Sequence, residues 1–427
     1  MTISFYNANY EKTGMVSVIL KLGLIISFPL IISRIPLATN LIALFYLCFV
    51  GLLAFKLSKY ETWSDRLSSL NLSIPSLLLL SVFSLIVVSV MLNSISGIYD
   101  QTYVKVLILS LLLYTPVLLS NHLSWFNVRF EWLVAGYAVL MLLLGVFELV
   151  IDVDVFPSRF SNAGLSQGYV ASGTFYNEND FTAAIVTLLP VVMYCGRLFS
   201  PLKAFSFLFF VVTGVLLALS IARAAQLVFV FYLLVYSFIF VTRMKVYQAI
   251  GYSFAILLVL SPLLFIFSDV LFSRLEDVGK ILGFIVGGDR DSSGSTRIQL
   301  MVDGWQLAVS KFWGYGGLEH YIADADILLG SKLHDVHFFW VELSVMAGVV
   351  PAVLLLISYI GMIAVHGIRL LAVTPGRSYS LMVVLMAVAF FVTAHGASST
   401  LKLAWVWLIF LISFNFPPKG EVDVHSN

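Results

Sequence analysis

The chain has 427 residues, of which 60% are hydrophobic and 11% are charged, and its formal net charge is +1. Roughly a quarter of the residues in a soluble domain are charged, so this composition excludes an ordinary soluble protein. The near-neutral charge gives no sign of nucleic acid as a partner. The composition predicts an all-α fold, with residues 1–427 forming a single integral membrane domain.

Membrane-spanning helices of about 20 apolar residues account for most of the chain, and about twelve are predicted. The predicted spans are 15–33, 38–55, 74–92, 104–119, 132–151, 181–196, 204–220, 224–241, 248–268, 338–365, 379–394 and 399–415. The polar N-terminus lacks the pattern of a signal peptide, so the first span is expected to be retained.

The placement of Lys and Arg predicts the orientation of these spans. With the N-terminus inside, most of these cations fall in inner connections. The short outer connections hold only Arg34, Lys105, Arg159, Arg223 and Lys402. Both termini are therefore expected in the cytoplasm, with 152–180 and the large 269–337 segment as extracytoplasmic loops.

The large outer loop contains a predicted amphipathic helix over 297–312, lying on the membrane or on the bundle. Its apolar positions recur at helical spacing and are Ile298, Met301, Val302, Trp305 and Val309. Gly314, Gly316 and Gly317 follow it and predict a turn.

Unusual polar residues collect at the outer ends of spans or in outer loops. They are Asn177, Glu178, Asn179, Asp180, Arg223, Arg297, His334, Asp335 and His337. Arg223 is flanked by apolar residues; it can be a snorkelling residue at a helix end, or an anion clamp whose planar fork suits phosphate oxygens. A second arginine, Arg297, would complete a site for a diphosphate.

His337 can be a satisfied interface residue or a general base, because the unperturbed histidine pKa lies near neutrality. His334 and His337 with Asp335 also permit a metal pair, although no further ligand is evident, so no metal site is expected. The 177–180 segment is a plausible helix N-cap, with Asn179 or Asp180 capping the next span.

Three segments together resemble the O-antigen ligase and O-antigen polymerase superfamily of bacterial surface-polysaccharide enzymes. They are 173–181 (GTFYNENDF), 220–225 (SIARAA) and 296–348, which includes Arg297, a GYG turn at 314–316, and His337 at the family's usual distance from Gly348. The family commonly has Asn directly after the histidine, and here Phe338 stands there.

The resemblance implies a glycosyltransferase whose donor is a glycan on undecaprenyl diphosphate, used at the outer, periplasmic face of a bacterial inner membrane. The acceptor would be a sugar hydroxyl on a glycan or on lipid A-core, and no metal or other cofactor is implied. Arg223 and Arg297 would hold the diphosphate, and His337 would take or orient the acceptor proton. Asn177, Asn179, His334 and Asp335 are expected to contact substrate. Membrane lipids and a chain-length regulator protein are further expected partners.

Several functions remain open at this point. A polymerase of polysaccharide repeat units is favoured, because 173–181 and 333–339 (LHDVHFF) look most like polymerase-type members. A ligase that moves glycan to lipid A-core or to protein would use the same donor site. A twelve-span secondary transporter is the alternative from another class, but it is expected to show repeated halves and polar residues near the midplane. A non-catalytic assembly partner is the third alternative.

Overall fold

The computed structural model describes residues 51, 74–95, 130–151, 155, 171–173, 175, 177–198, 202–220, 222–241, 293–316, 338–372, 376–394 and 404–414. Within this part the chain is helical and contains no strand. The helices are α1 (Ile74–Ile95), α2 (Phe130–Ile151), α3 (Glu178–Leu198), α4 (Leu202–Leu219), α5 (Arg223–Val241), α6 (Ser293–Ser310), α7 (Phe339–Ala347), α8 (Val349–Leu371), α9 (Arg377–Thr393) and α10 (Ala404–Phe414).

Three of the described helices are long and apolar enough to cross a membrane, namely Glu131–Ile151, Glu178–Arg197 and Val349–Leu371. Shorter apolar stretches lie in α1, α4, α5 and α9. The all-α prediction is confirmed for the described residues, and these apolar helices support the predicted membrane character, while the count of twelve spans stays a prediction. Large apolar side chains on these helices are exposed, such as Phe238 at 69% and Ile357 at 58%, as expected where lipid is the solvent.

Helix α3 forms the centre of the described bundle, because 89% of its apolar span is buried, against 44% for the span in α2 and 39% for the span in α8. It packs against α2, α4, α5 and α9. Helix α9 runs antiparallel to α3, since Tyr194 meets Tyr379 with 5.6 Å between ring centroids and Thr187 lies 3.4 Å from Thr393.

Helix α8 runs antiparallel to α9, since the Tyr359 hydroxyl donates to the Ala387 carbonyl at 2.5 Å and His366, further along α8, lies 3.1 Å from Ser380, earlier in α9. These directions bring one set of helix ends together, which we call the loop end. It contains the N-termini of α3, α5 and α8 and the C-termini of α1, α2, α4, α7 and α9.

The opposite, far end is held by side chains that join one helix to another. His366 on α8 lies 3.1 Å from the Ser380 hydroxyl through Nδ1 and 3.1 Å from the Ser413 carbonyl through Nε2. The Tyr379 hydroxyl donates to the Ile412 carbonyl at 2.5 Å. Both ring nitrogens of His366 are therefore engaged in helix packing.

The predicted span 338–365 is wrong as a single helix, because the chain reverses at Gly348. Trp340 and Tyr359 have ring centroids 5.4 Å apart. In one straight helix their Cα atoms would be about 28 Å apart at 1.5 Å per residue. Helix α7 is instead a short segment, buried along its whole length, that folds back against α8, and α8 provides the membrane-crossing length.

Candidate functional site

The turn between α4 and α5 holds Arg223 at the loop end. Arg223 is the first residue of α5 and is exposed. A cation is disfavoured at a helix N-terminus, where the backbone dipole is already positive, so its position there is not explained by helix stability. The guanidinium and the helix N-terminus together make this region favourable for an anion.

Gln226 fixes the shape of this turn, and sequence reasoning missed it. Its side-chain amide donates to the Leu217 carbonyl at 2.9 Å and to the Ser220 carbonyl at 2.8 Å. Two carbonyls at the end of α4 are thereby satisfied by a side chain of α5. The signal that could have found it is an amide three residues after the arginine, within an otherwise apolar stretch.

The start of α3 is capped by Asn177, which corrects the prediction of Asn179 or Asp180 as the cap. The Asn177 Oδ1 accepts the Asn179 backbone N–H at 3.0 Å, as an N-cap residue does for the second helical position. Both asparagine side chains are half-buried, whereas Glu178 and Asp180 are buried. Asn177 thus has a structural role, which leaves its predicted substrate contact untested.

Glu148, near the end of α2, holds the segment that leads into α3. It is 5% exposed, and its carboxylate accepts the backbone N–H groups of Ser172 at 3.0 Å and Gly173 at 2.7 Å. Gly173 has φ +54°, and a Cβ there would lie 2.7 Å from the Phe181 ring. The glycine and phenylalanine of the 173–181 segment therefore support its packing, and Glu148 positions it.

The predicted loop helix forms as α6, and the prediction left its apolar face either on the membrane or on the bundle. Val302, Trp305 and Val309, from the predicted apolar face, are exposed. The buried side includes Gly304 and Ala308, and α6 packs against α7. In a membrane, small residues let helices approach closely, while larger apolar side chains are tolerated on the outside, because lipid is as apolar as they are. Arg297 lies on this helix; its side chain is outside the described part.

The GYG turn after α6 interlocks with the reversal at Gly348. The Tyr315 and Gly316 N–H groups donate to the Val345 and Met346 carbonyls at 2.8 and 2.9 Å. In return, the Phe312 carbonyl accepts the Val349 N–H at 3.0 Å. These bonds satisfy carbonyls at the end of α7 and the first N–H of α8, which would otherwise lack helical partners.

The glycines of this interlock allow two backbones to touch. Gly314 has φ +80° and Gly348 has φ +100°. A Cβ at Gly314 would lie 2.5 Å from the Gly348 nitrogen, and a Cβ at Gly348 would lie 2.9 Å from the Phe312 carbonyl oxygen. No other residue type fits at either position without displacing the backbone.

Helix α1 fastens the same turn through two side chains that the sequence did not single out. The Ser89 hydroxyl and the Asn93 side-chain amide both donate to the Trp313 carbonyl, at 2.7 and 3.2 Å. The two residues are four apart on one helix face, which was the available signal. The turn is therefore held from α1, α7 and α8 together.

His334, Asp335 and His337 lie outside the described residues, so their predicted roles stay predictions. Among the residues that the structure describes, no group of three or more His, Cys, Asp or Glu could hold a metal ion. The structure does bring the backbones of Asn177, Asn179 and Arg223 to the loop end, the same end as the 312–316 turn.

Comparison with known families places this geometry in context. A family model described as O-antigen ligase matches residues 208–357. The matched region contains Arg223, Arg297 and His337, whereas Asn177 and Asn179 precede it. This match confirms the resemblance to the O-antigen ligase and polymerase superfamily that was predicted from the sequence. It also indicates a glycan-processing function of that type. A search of curated proteins finds no match.

Proposed function

We propose that this chain, with its O-antigen ligase domain at 208–357, is a glycosyltransferase that polymerises polysaccharide repeat units at the outer face of the inner membrane. The donor is a glycan linked to undecaprenyl diphosphate. The observation that carries the proposal is the family match across the segment that contains Arg223, Arg297 and His337. The exposed position of Arg223, at the N-terminus of α5, supports a site for an anion.

The proposed reaction transfers a glycosyl group without a change of oxidation state. An acceptor sugar hydroxyl attacks the anomeric carbon, a new glycosidic bond forms, and the bond from that carbon to the diphosphate oxygen breaks. The proton of the hydroxyl passes to His337, and undecaprenyl diphosphate leaves. Arg223 and Arg297 stabilise the charge on the leaving group, so positioned guanidinium groups provide the electrostatic catalysis.

The direct test uses purified protein in nanodiscs with a lipid-diphosphate repeat unit as substrate. We expect a ladder of longer glycans, and we expect Arg223→Lys and Arg297→Lys each to lower product formation by about 100-fold, because lysine lacks the planar fork. Lys203→Ala is the matched control, since this exposed cation lies near the start of α4, at the far end of the bundle. Full activity in both lysine variants would refute the clamp. Loss of product in a chelator, restored by one divalent ion, would contradict the metal-free mechanism.

A ligase is the second candidate, favoured by the description of the matching family model. A deletion strain separates the two functions. Loss of long chains supports the polymerase, whereas long chains that remain unattached to lipid A-core support the ligase. Uptake of a small solute by proteoliposomes, abolished in Arg223→Ala, would instead support transport.

A further inference from the structure

The exposed side of α6 is divided into an apolar and a polar half. Val302, Trp305 and Val309 occupy one flank, and each is between 43% and 58% exposed. Gln299 and Gln306 occupy the other flank of the same exposed arc. At 100° per residue these two sets are adjacent stripes along the helix, and both face away from α7.

The depth at which this helix ends follows from the bonds of the turn after it. The Trp313 carbonyl is held by Ser89, six residues before the end of α1, which corresponds to about 9 Å along that helix. The Phe312 carbonyl accepts the N–H of Val349, the first residue of the membrane-crossing α8. Phe312 and Trp313, exposed at 49% and 62%, therefore lie at the level where apolar helices begin and end.

We infer that the Val302–Trp305–Val309 stripe, continued by Phe312 and Trp313, inserts into the interfacial region of the lipid bilayer, with Gln299 and Gln306 facing water. The depth of the turn and the presence of aromatic side chains fit the interfacial layer, where Trp is enriched. A helix with apolar and polar exposed stripes matches a boundary between two solvents. This inference concerns how the loop helix meets lipid and goes beyond the proposed reaction.

Spin labels test the inference in proteoliposomes of phosphatidylethanolamine and phosphatidylglycerol. Single cysteines replace Val302, Trp305, Val309, Gln299 or Gln306 in a Cys48→Ser, Cys195→Ala background. Power saturation then measures collision of each label with oxygen, which partitions into lipid, and with a water-soluble nickel chelate. We expect the oxygen-to-nickel ratio to exceed one at the three apolar positions and to fall below one at the two glutamines, which serve as matched controls.

A ratio below one at any of the three apolar positions would overturn the inference, because the stripe would then face water. Exclusion of both reagents from the stripe would overturn it too, since a protein partner or a second copy would then cover it. The measurement involves no glycan, so its failure is distinct from failure of the proposed function.

Discussion

At the far end of the bundle, polar side chains connect helix to helix, whereas at the loop end they bind the backbone of connecting segments. His366 and Tyr379 bond groups on neighbouring helices. Glu148 and Asn93 instead bond the segments near α3 and after α6. The difference teaches that polar residues inside an apolar bundle can serve either stability alone or the placement of loops. Each end also has an exposed arginine as the first residue of a helix, Arg223 of α5 at the loop end and Arg377 of α9 at the far end.

The largest expected effect is at the interlock between the GYG turn and Gly348. Gly314→Ala should destabilise the protein by about 3 kcal/mol or more, because alanine combines strain at positive φ with a backbone clash. Thermal unfolding in detergent measures the loss. Gly361→Ala on α8 is the control and should be nearly neutral or slightly stabilising, because a Cβ there meets nothing within 4 Å. Equal melting temperatures for the two variants would contradict the interlock.

Glu148→Gln tests whether side chains at the loop end place connecting segments. Hydrogen bonds to a charged group contribute roughly 1.5–3 kcal/mol, and glutamine would keep one acceptor oxygen but turn an NH2 donor toward the backbone N–H on the other side of the carboxylate site. We expect a stability loss of about 2 kcal/mol together with lower glycan product per folded protein. Glu131→Gln, at the other end of α2, should leave the product per folded protein unchanged. If Glu148→Gln lowers stability but leaves the product per folded protein unchanged, then Glu148 serves stability alone, as the far-end side chains do.

His366→Leu, at the far end, is expected to lower stability without changing specific activity. Removing both ring nitrogens leaves the Ser380 hydroxyl and the Ser413 carbonyl without their partner, which should cost about 1–3 kcal/mol. The melting temperature should fall, and the product formed per folded protein should stay the same. A fall in that specific activity would show that the far end also serves the reaction.

Gln226→Leu should have the smallest effect on stability, about 1 kcal/mol, because its two bonds lie in a partly exposed turn. Glycan product should nevertheless fall by about tenfold, since small displacements of a positioned group are costly to catalysis. Leu227→Ala, at the exposed neighbouring residue, is the control. Full specific activity in Gln226→Leu would show that the turn does not position Arg223.

The sequence predicted the helices better than the way they pack. Long apolar stretches predicted α2, α3, α4, α5 and α9 within a few residues, because a bilayer demands continuous apolar length. The reversal at Gly348 was missed because 338–365 is mostly apolar and was taken as one continuous span, although Gly348 and Pro351 lie within it. The apolar face of α6 was predicted to lie on the membrane or on the bundle, and the sequence alone could not decide between the two; in the structure Gly304 and Ala308 lie on the buried side.

The predicted roles of the candidate residues stay predictions, although the structure shows where several of them lie. The position of Arg223 in the short connection after α4 followed from the sequence, whereas the side of the membrane that it faces stays a prediction. Asn177 was predicted as a substrate contact, yet its cap bond depends on where α3 begins, and helix ends are poorly defined by sequence. Ser89 and Asn93 were not predicted, because their partner Trp313 is more than 200 positions away in the chain.

The interlock also bears on the order of assembly during synthesis. All of its backbone partners lie within 312–349, so it can close once α8 has been made, before α9 and α10 exist. The bond from Ser89 to Trp313 spans 224 positions and joins helices made far apart in time. The α6–α8 segment is therefore suited to fold as an early local unit, and α1, which was synthesised before it, then packs against that unit.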